Sequence, residues 1–216
     1  MRSSEPVTVN EPAFWDGLYE RGGDRWELRR AAPSLAEYLR RAPLPRGNVA
    51  VLGCGRGHDA RLLARLGHRV WGFDFAARAI QDARALAKQN GLEIAFEQRD
   101  LFDLATDFAG FFDGIWEYTC FCAIDPNRRA EYVRLVRTLL KPDGWLLACF
   151  WPLGQGRDGP PFPATEAEIR RLFAPDFVLL ETYVPTESAA RRLEWMVVAR
   201  PHAALSGPTL NSSATP

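Results

Sequence analysis

The sequence predicts an α/β fold, a doubly wound and mostly parallel sheet of seven strands with helices on both faces. Three observations predict it. Short apolar runs alternate with amphipathic stretches from residue 48 to residue 150, and strict strand–helix alternation places strands in parallel, covered on both sides. The first run ends in a glycine cluster, Gly53, Gly55 and Gly57, with a helical pattern behind it. The length of 216 residues suits one such domain with a full core and is short for two.

Taken in order, the first 30 residues are rich in aromatics and charge and read as one or two short helices. A helix follows Pro33, a residue suited to the first helical turn, and runs to about Arg41 before the Pro43-x-Pro45 break. Residues 48–52 form a short apolar run, hence a buried strand. Residues 58–66 place Leu62, Leu63 and Leu66 on one helical face. A second strand at 69–73 leads to a helix at 76–90, closed by Asn90-Gly91 as a left-handed cap. Residues 92–98 alternate as a third strand, 112–116 give a fourth, and 127–140 a helix stopped by Lys141-Pro142-Asp143-Gly144. A fifth strand spans 145–150. After a Gly/Pro loop at 152–163 come a helix at 165–173 and strands at 177–183 and 193–199. The domain is expected to cover 1–200, with 201–216 as a disordered tail of Ala, Ser, Pro and Thr.

Lys plus Arg and Asp plus Glu both number 27, so no excess charge is available to hold nucleic acid or an anionic membrane. The basic pairs Arg29-Arg30, Arg40-Arg41 and Arg170-Arg171 read as solvated helix faces. The first ten residues are polar, unlike a signal peptide, and no stretch reaches the roughly 20 apolar residues of a membrane span. Cys54, Cys120, Cys122 and Cys149 lack paired C-x-x-C spacing, which points away from a metal site and toward reduced thiols in the cytoplasm. Cys120 and Cys122 are expected on one strand face as packing residues, and His68 and His202 in solvent.

Chemistry concentrates at the glycine loop, Leu52-Gly53-Cys54-Gly55-Arg56-Gly57. Glycine there lets the backbone turn sharply and lets a ligand approach the main chain. The loop sits at the C-terminal edge of the first strand, where open α/β sheets bind ligands. Asp74 follows the second strand, placed to accept from both hydroxyls of a ribose, and Asp100 follows the third, placed to reach an adenine edge. A dinucleotide loop of the form G-x-G-x-x-G needs a glycine where this chain has His58. The methyl donor S-adenosylmethionine, with product S-adenosylhomocysteine, fits the G-x-G-x-G run and Asp100 better.

The chain resembles the thiopurine and thiol methyltransferases, in particular the branch that methylates thiols, thiocyanate and halide ions. Three passages carry the resemblance, which runs from about Phe14 to Ala199. The run from Leu52 to Asp59 with Gly72-Phe73-Asp74 is similar to the family's P-G-C-G-x-G-H-D and its following acid. The run from Phe112 to Pro126 is similar to F-D-x-x-x-D-Y-x-F-F-C-A-I-x-P. Trp15, Tyr19 and Trp26 match an aromatic lid. The resemblance implies donor contacts from Trp15, Tyr19, Trp26, Gly53, Asp74, Asp100, Leu101 and Tyr118, with Gly55 in the same loop. It also implies a Rossmann-like, seven-stranded sheet whose final strand is antiparallel. Tyr19 stands where relatives carry Trp, Trp151-Pro152 replaces Tyr-Pro, and Asp158-Gly159-Pro160-Pro161-Phe162 replaces G-G-P-P-Y. The last change removes a hydroxyl and leans toward an apolar acceptor, with Trp151 and Phe162 as acceptor-side candidates.

Aromatic faces attract a sulfonium cation by roughly 0.5–2 kcal/mol each, so the lid serves the donor; the same residues also fit simple packing of a helix. A thiol is partly thiolate at neutral pH and needs no dedicated base. No base stands out: His58 reads as a structural or donor-side residue and Glu117 as a donor contact or a strand-end charge. The expectation is an enzyme without metal, acting on a small molecule, most plausibly a thiol or hydrosulfide, as a monomer or weak dimer. Halide or thiocyanate transfer, O- or N-methylation, an oxidoreductase and a non-catalytic donor-binding protein are the alternatives.

Overall fold

The computed structural model describes residues 8–156, 158–188 and 193–203. The elements in chain order are α1 (Pro12–Glu20), α2 (Pro33–Arg41), β1 (Asn48–Leu52), α3 (His58–Arg65), β2 (Arg69–Asp74), α4 (Ala77–Gln89) and β3 (Ala95–Gln98). There follow α5 (Ala105–Phe108), β4 (Phe112–Tyr118), α6 (Arg129–Leu139), β5 (Leu140–Phe150), α7 (Glu166–Phe173), β6 (Phe177–Tyr183) and β7 (Trp195–Pro201). The seven strands form one sheet in the order β3-β2-β1-β4-β5-β7-β6. The first five are parallel and the final strand is antiparallel, as the resemblance implied; β7 lies between β5 and β6.

Alternation along β1 explains the two cores. Ala50 and Leu52 face one side and join Ile115, Leu146, Ala148 and the apolar stripes of α6 and α7. Val49 and Val51 face the other, with Trp116, Leu147, Cys149 and residues of α2, α3 and α4. Each such Val or Leu, fully buried, contributes roughly 1.5–3 kcal/mol, so a one-residue slip of β1 is strongly disfavoured. Local signals fix the helix ends. The Thr165 hydroxyl accepts from the Glu168 N–H (3.1 Å) and caps α7, and Gly91 takes φ +64° just beyond α4.

Several boundaries and exposures differ from the sequence reading. Helix α3 stops at Arg65, so Leu66 falls outside the helical phase and is 44% exposed. His68, expected in solvent, is buried against the start of β2, and burial, then the nearby Arg46, lowers its pKa. Cys120 and Cys122 lie in a tight 3₁₀ turn at Phe121–Ala123 rather than on a strand. Strand β4 runs on to Tyr118, β3 begins only at Ala95, and β7 continues through Pro201, one residue into the stretch expected as tail. Of that tail, residues 204–216 lie outside the described residues. Among the described residues no helix is long and apolar enough to cross a membrane, and no group of three metal-ligating side chains occurs.

Candidate functional site

The strand order reverses between β1 and β4, and the C-terminal edges on either side of that reversal open into a cavity of about 340 Å³. Gly53 sits in the middle, at the end of β1, with φ +60°, and a Cβ there would meet the Cys120 side chain at 2.9 Å. Only glycine satisfies both the left-handed turn and that approach. Gly57 (φ +69°) begins α3 under the same double constraint, since a Cβ would lie 2.6 Å from the Phe96 ring.

On the β2 and β3 side stand the acids. Asp74 is buried, and its two oxygens accept from the Gly55 N–H (2.8 Å) and the Ala76 N–H (2.9 Å). Each oxygen keeps a second lone pair for a ligand hydroxyl. Burial holds its pKa above the usual carboxylate range, against the pull of those hydrogen bonds. Asp100 caps the short turn Leu101–Asp103 by accepting from the Phe102 N–H (3.0 Å), which fixes Leu101 and Phe102 in the cavity wall.

Helix α1 and the loop after it close over this side. Trp26 meets Trp15 and Tyr19 edge to face, at ring-centre separations of 5.8 and 5.6 Å. The Trp26 indole N–H donates to the Tyr19 hydroxyl (3.3 Å) and that of Trp15 to the Val9 carbonyl (2.8 Å). Tyr19 also packs on Ala76 and Ala79 of α4, so these rings both pack the helix and line the cavity. Burial, then the charge of Asp74, raises the Tyr19 pKa well above its ordinary value and keeps the phenol neutral. Arg56 of the glycine loop ties the lid down through Asp24, Glu27 (3.1 Å) and Asp82 of α4 (3.1 Å), and its guanidinium lies over the Tyr19 ring at 5.2 Å. Glu27 also pairs with the His58 Nε2 at 2.8 Å. Burial alone would raise the Glu27 pKa; hydrogen bonds from His58, the Arg29 N–H and Arg56 outweigh it and bring it to about 2.

On the β4 and β5 side the wall consists of Thr119, Cys120, Cys122, Ala123, Trp151 and the Pro160-Pro161 pair. Thr119 adopts φ +62°, a conformation in which a β-branched residue is an outlier.

Trp15, Tyr19, Trp26, Gly53, Asp74, Asp100, Leu101 and Trp151 thus line one cavity. Gly55 and Tyr118 do not; they line a smaller adjoining cavity of about 60 Å³ that shares Trp26, Gly53 and Thr119, and the Tyr118 hydroxyl donates to Glu194 (2.7 Å). Phe162 lines neither. Its N–H donates to the Cys122 carbonyl (2.7 Å) and its carbonyl accepts from Arg129 (2.8 Å), which turns Pro160 and Pro161 inward instead. The hydroxyl lost at position 162 therefore says nothing about the acceptor. Glu117 lines neither cavity, against its reading as a donor contact; it is a charge near the end of β4, as the alternative had it, but a fully buried one. His58 belongs to the smaller cavity, and no histidine lines the larger one among the described residues. Phe75, Phe102, Thr119 and Arg128 went unread in the sequence, because none carries a motif; Phe102 alone was findable, as the neighbour of Asp100-Leu101.

The family model described as thiopurine S-methyltransferase matches residues 10–204. A probable thiol methyltransferase 2 of Arabidopsis thaliana is 29% identical over 171 residues, covering 78% of this chain and 75% of the relative. A thiocyanate methyltransferase 1 of Brassica oleracea is 30% identical over 172 residues, covering 79% and 75%. Among solved structures, the Burkholderia thailandensis 1,6-didemethyltoxoflavin-N1-methyltransferase, with bound 1,6-didemethyltoxoflavin and S-adenosylhomocysteine, superposes with a TM-score of 0.70. It covers 94% of both chains at 24% identity, a likeness of fold.

Proposed function

The chain belongs to the thiopurine S-methyltransferase family of S-adenosylmethionine-dependent enzymes, and we propose that its acceptor is a small thiol or hydrosulfide ion. One observation carries the reading: a single cavity joins the acids and aromatic lid of the β2 and β3 side to an apolar wall after β4 and β5. The donor supplies an electrophilic methyl group on a sulfonium. Asp74 would hold the ribose hydroxyls, Asp100 and Leu101 the adenine, and Gly53 would give the donor access to the main chain. Trp15, Tyr19 and Trp26 would cover it and exclude water; Gly55 and Tyr118, in the adjoining cavity, are read as supports of the loop rather than contacts.

The acceptor would enter against Cys120, Cys122, Trp151 and the prolines. Such a wall desolvates a soft, diffuse anion at little cost and a hard oxyanion poorly. Among the described residues the lining includes no histidine or lysine to serve as a base, so an acceptor that ionises near neutral pH is favoured. Cys120 is not a competing nucleophile, because burial, then the charge of Glu117, raises its pKa well above that of a free thiol. The reading takes a monomer, or a weak dimer, in a reducing cytoplasm, which suits the four free cysteines.

The test is turnover of labelled donor with hydrosulfide, methanethiol, an aryl thiol, iodide, thiocyanate, a catechol and a primary amine. Thiols should lead, with halides behind and the catechol and amine near background. A catechol or amine faster than every thiol would leave the family assignment and remove the acceptor.

A further inference from the structure

Behind the acceptor-side wall lies a buried acid that the donor contacts leave unused. Glu117, near the end of β4, is 1% exposed. Its two carboxylate oxygens accept from the Phe121 N–H (3.0 and 3.2 Å), and one also accepts from the Tyr132 hydroxyl of α6 (2.5 Å). Phe121 opens the 3₁₀ turn whose neighbours Cys120, Cys122 and Ala123 face the cavity. The entry to that turn is the left-handed Thr119, whose carbonyl accepts from the Cys122 thiol (3.1 Å). A strained entry persists only where its surroundings over-determine it, and the charge-assisted tie to Glu117 is the strongest restraint of that kind on this turn.

We propose that Glu117 is a positioning residue for the acceptor, its ionised carboxylate holding the 119–123 turn in the shape that the acceptor meets. The proposal rests on the S-methyl transfer reading and extends it. An ionised carboxylate accepts from both donors at once; a neutral carboxyl keeps the Phe121 N–H on its carbonyl oxygen but must donate its proton to the Tyr132 oxygen, so the Tyr132 bond reverses and the Phe121 tie loses its charge assistance. Burial, partly opposed by the Tyr132 and Phe121 bonds, pushes the Glu117 pKa up to about 7, which brings the exchange into the working range. The groups facing it are Tyr132 from α6 and Cys120 in the turn, and its charge is also felt at Cys149 of β5. Arg129, whose guanidinium lies over the Phe121 ring, is committed to Glu168 (2.9 Å).

The experiment measures acceptor KM with an aryl thiol acidic enough to remain ionised throughout, pentafluorothiophenol, so that the acceptor's own titration drops out. With only the ionised form competent, wild-type KM should rise roughly tenfold as pH falls from about 8 to about 6, the ratio of the two ionised fractions. Glu117→Gln should show a raised, pH-independent acceptor KM, while S-adenosylhomocysteine affinity stays within about threefold. Tyr132→Phe keeps the Phe121 tie, so it should retain the low KM at about pH 8. Hydrogen exchange of segment 118–124 should accelerate in Glu117→Gln and not in Tyr132→Phe. A flat wild-type profile, or a Glu117→Gln variant with KM within twofold of wild type, overturns the proposal. If no thiol is methylated, the acceptor reading fails on its own; unchanged exchange in Glu117→Gln would then overturn the tie independently.

Discussion

Asp74 holds the glycine loop through the Gly55 N–H and the start of α4 through the Ala76 N–H before any ligand arrives. Asp74→Ala should therefore weaken S-adenosylhomocysteine by roughly 2–4 kcal/mol, the sum of lost charge-assisted bonds. Calorimetry that finds the variant within threefold of wild type would refute the ribose assignment, and Asp74→Asn, which keeps an acceptor for one N–H, separates loop collapse from lost contact. Asp100→Ala should weaken binding less and relax discrimination between adenosine and inosine forms of the product. These acids were legible because each closes or follows a stretch readable as a strand, an apolar run before Asp74 and an alternating one before Asp100. Glu117 was not, since its burial comes from Tyr132 on a helix after the turn, and a charge at a strand end looks the same in sequence whether capped or free. Phe162 misled for a related reason: a ring beside prolines suggests a wall, but its main-chain bonds to Cys122 and Arg129 decide which residue faces inward.

At the scale of elements, the lid is the part on which function turns. The spacing of Trp15 and Tyr19 on one helical face was readable, and α1 forms there. The ion pairs that pin the lid were not, because Arg56 belongs to the glycine loop and its partners to the lid and α4. Saturation with S-adenosylhomocysteine should slow hydrogen exchange across 12–28 and alter tryptophan quenching, as a closing segment does. No change on saturation would leave α1 as a packing element only. Arg56→Ala should speed exchange in the same segment without ligand and weaken the product severalfold, with the sheet's exchange unaltered; equal exchange in variant and wild type would dismiss the pinning role.

The whole molecule follows from one reversal in strand order, which separates the acids from the acceptor wall while keeping both beside Gly53. The alternation of strand and helix foretold the parallel sheet covered on both faces; the antiparallel final strand came from the resemblance, and the place of that strand between β5 and β6 was not read from the sequence. Two acids, Glu117 fully buried and Glu27 partly buried, also set an acid–base balance for the fold. The pKa of Glu117 rises from 4.5 to about 7 on folding, so its contribution is full below 4.5 and is lost as pH rises through about 7. The Glu27 pKa falls from 4.5 to about 2, so its contribution is present above 4.5 and lost as pH falls toward 2. Thermal stability should accordingly peak between these limits, and Glu117→Gln should remove the decline on the alkaline side; a Tm that climbs steadily from about pH 5 to about pH 8 would contradict this. The central claim is that one cavity holds donor and acceptor on opposite sides of the reversal. Steady-state methyl transfer to an aryl thiol tests it most directly, with Asp74→Ala and Trp151→Ala compared in the same assay. The account predicts that the first raises donor KM tenfold or more with acceptor KM nearly unchanged, and that the second does the converse. Both variants moving the same constant, or neither moving any, would contradict it.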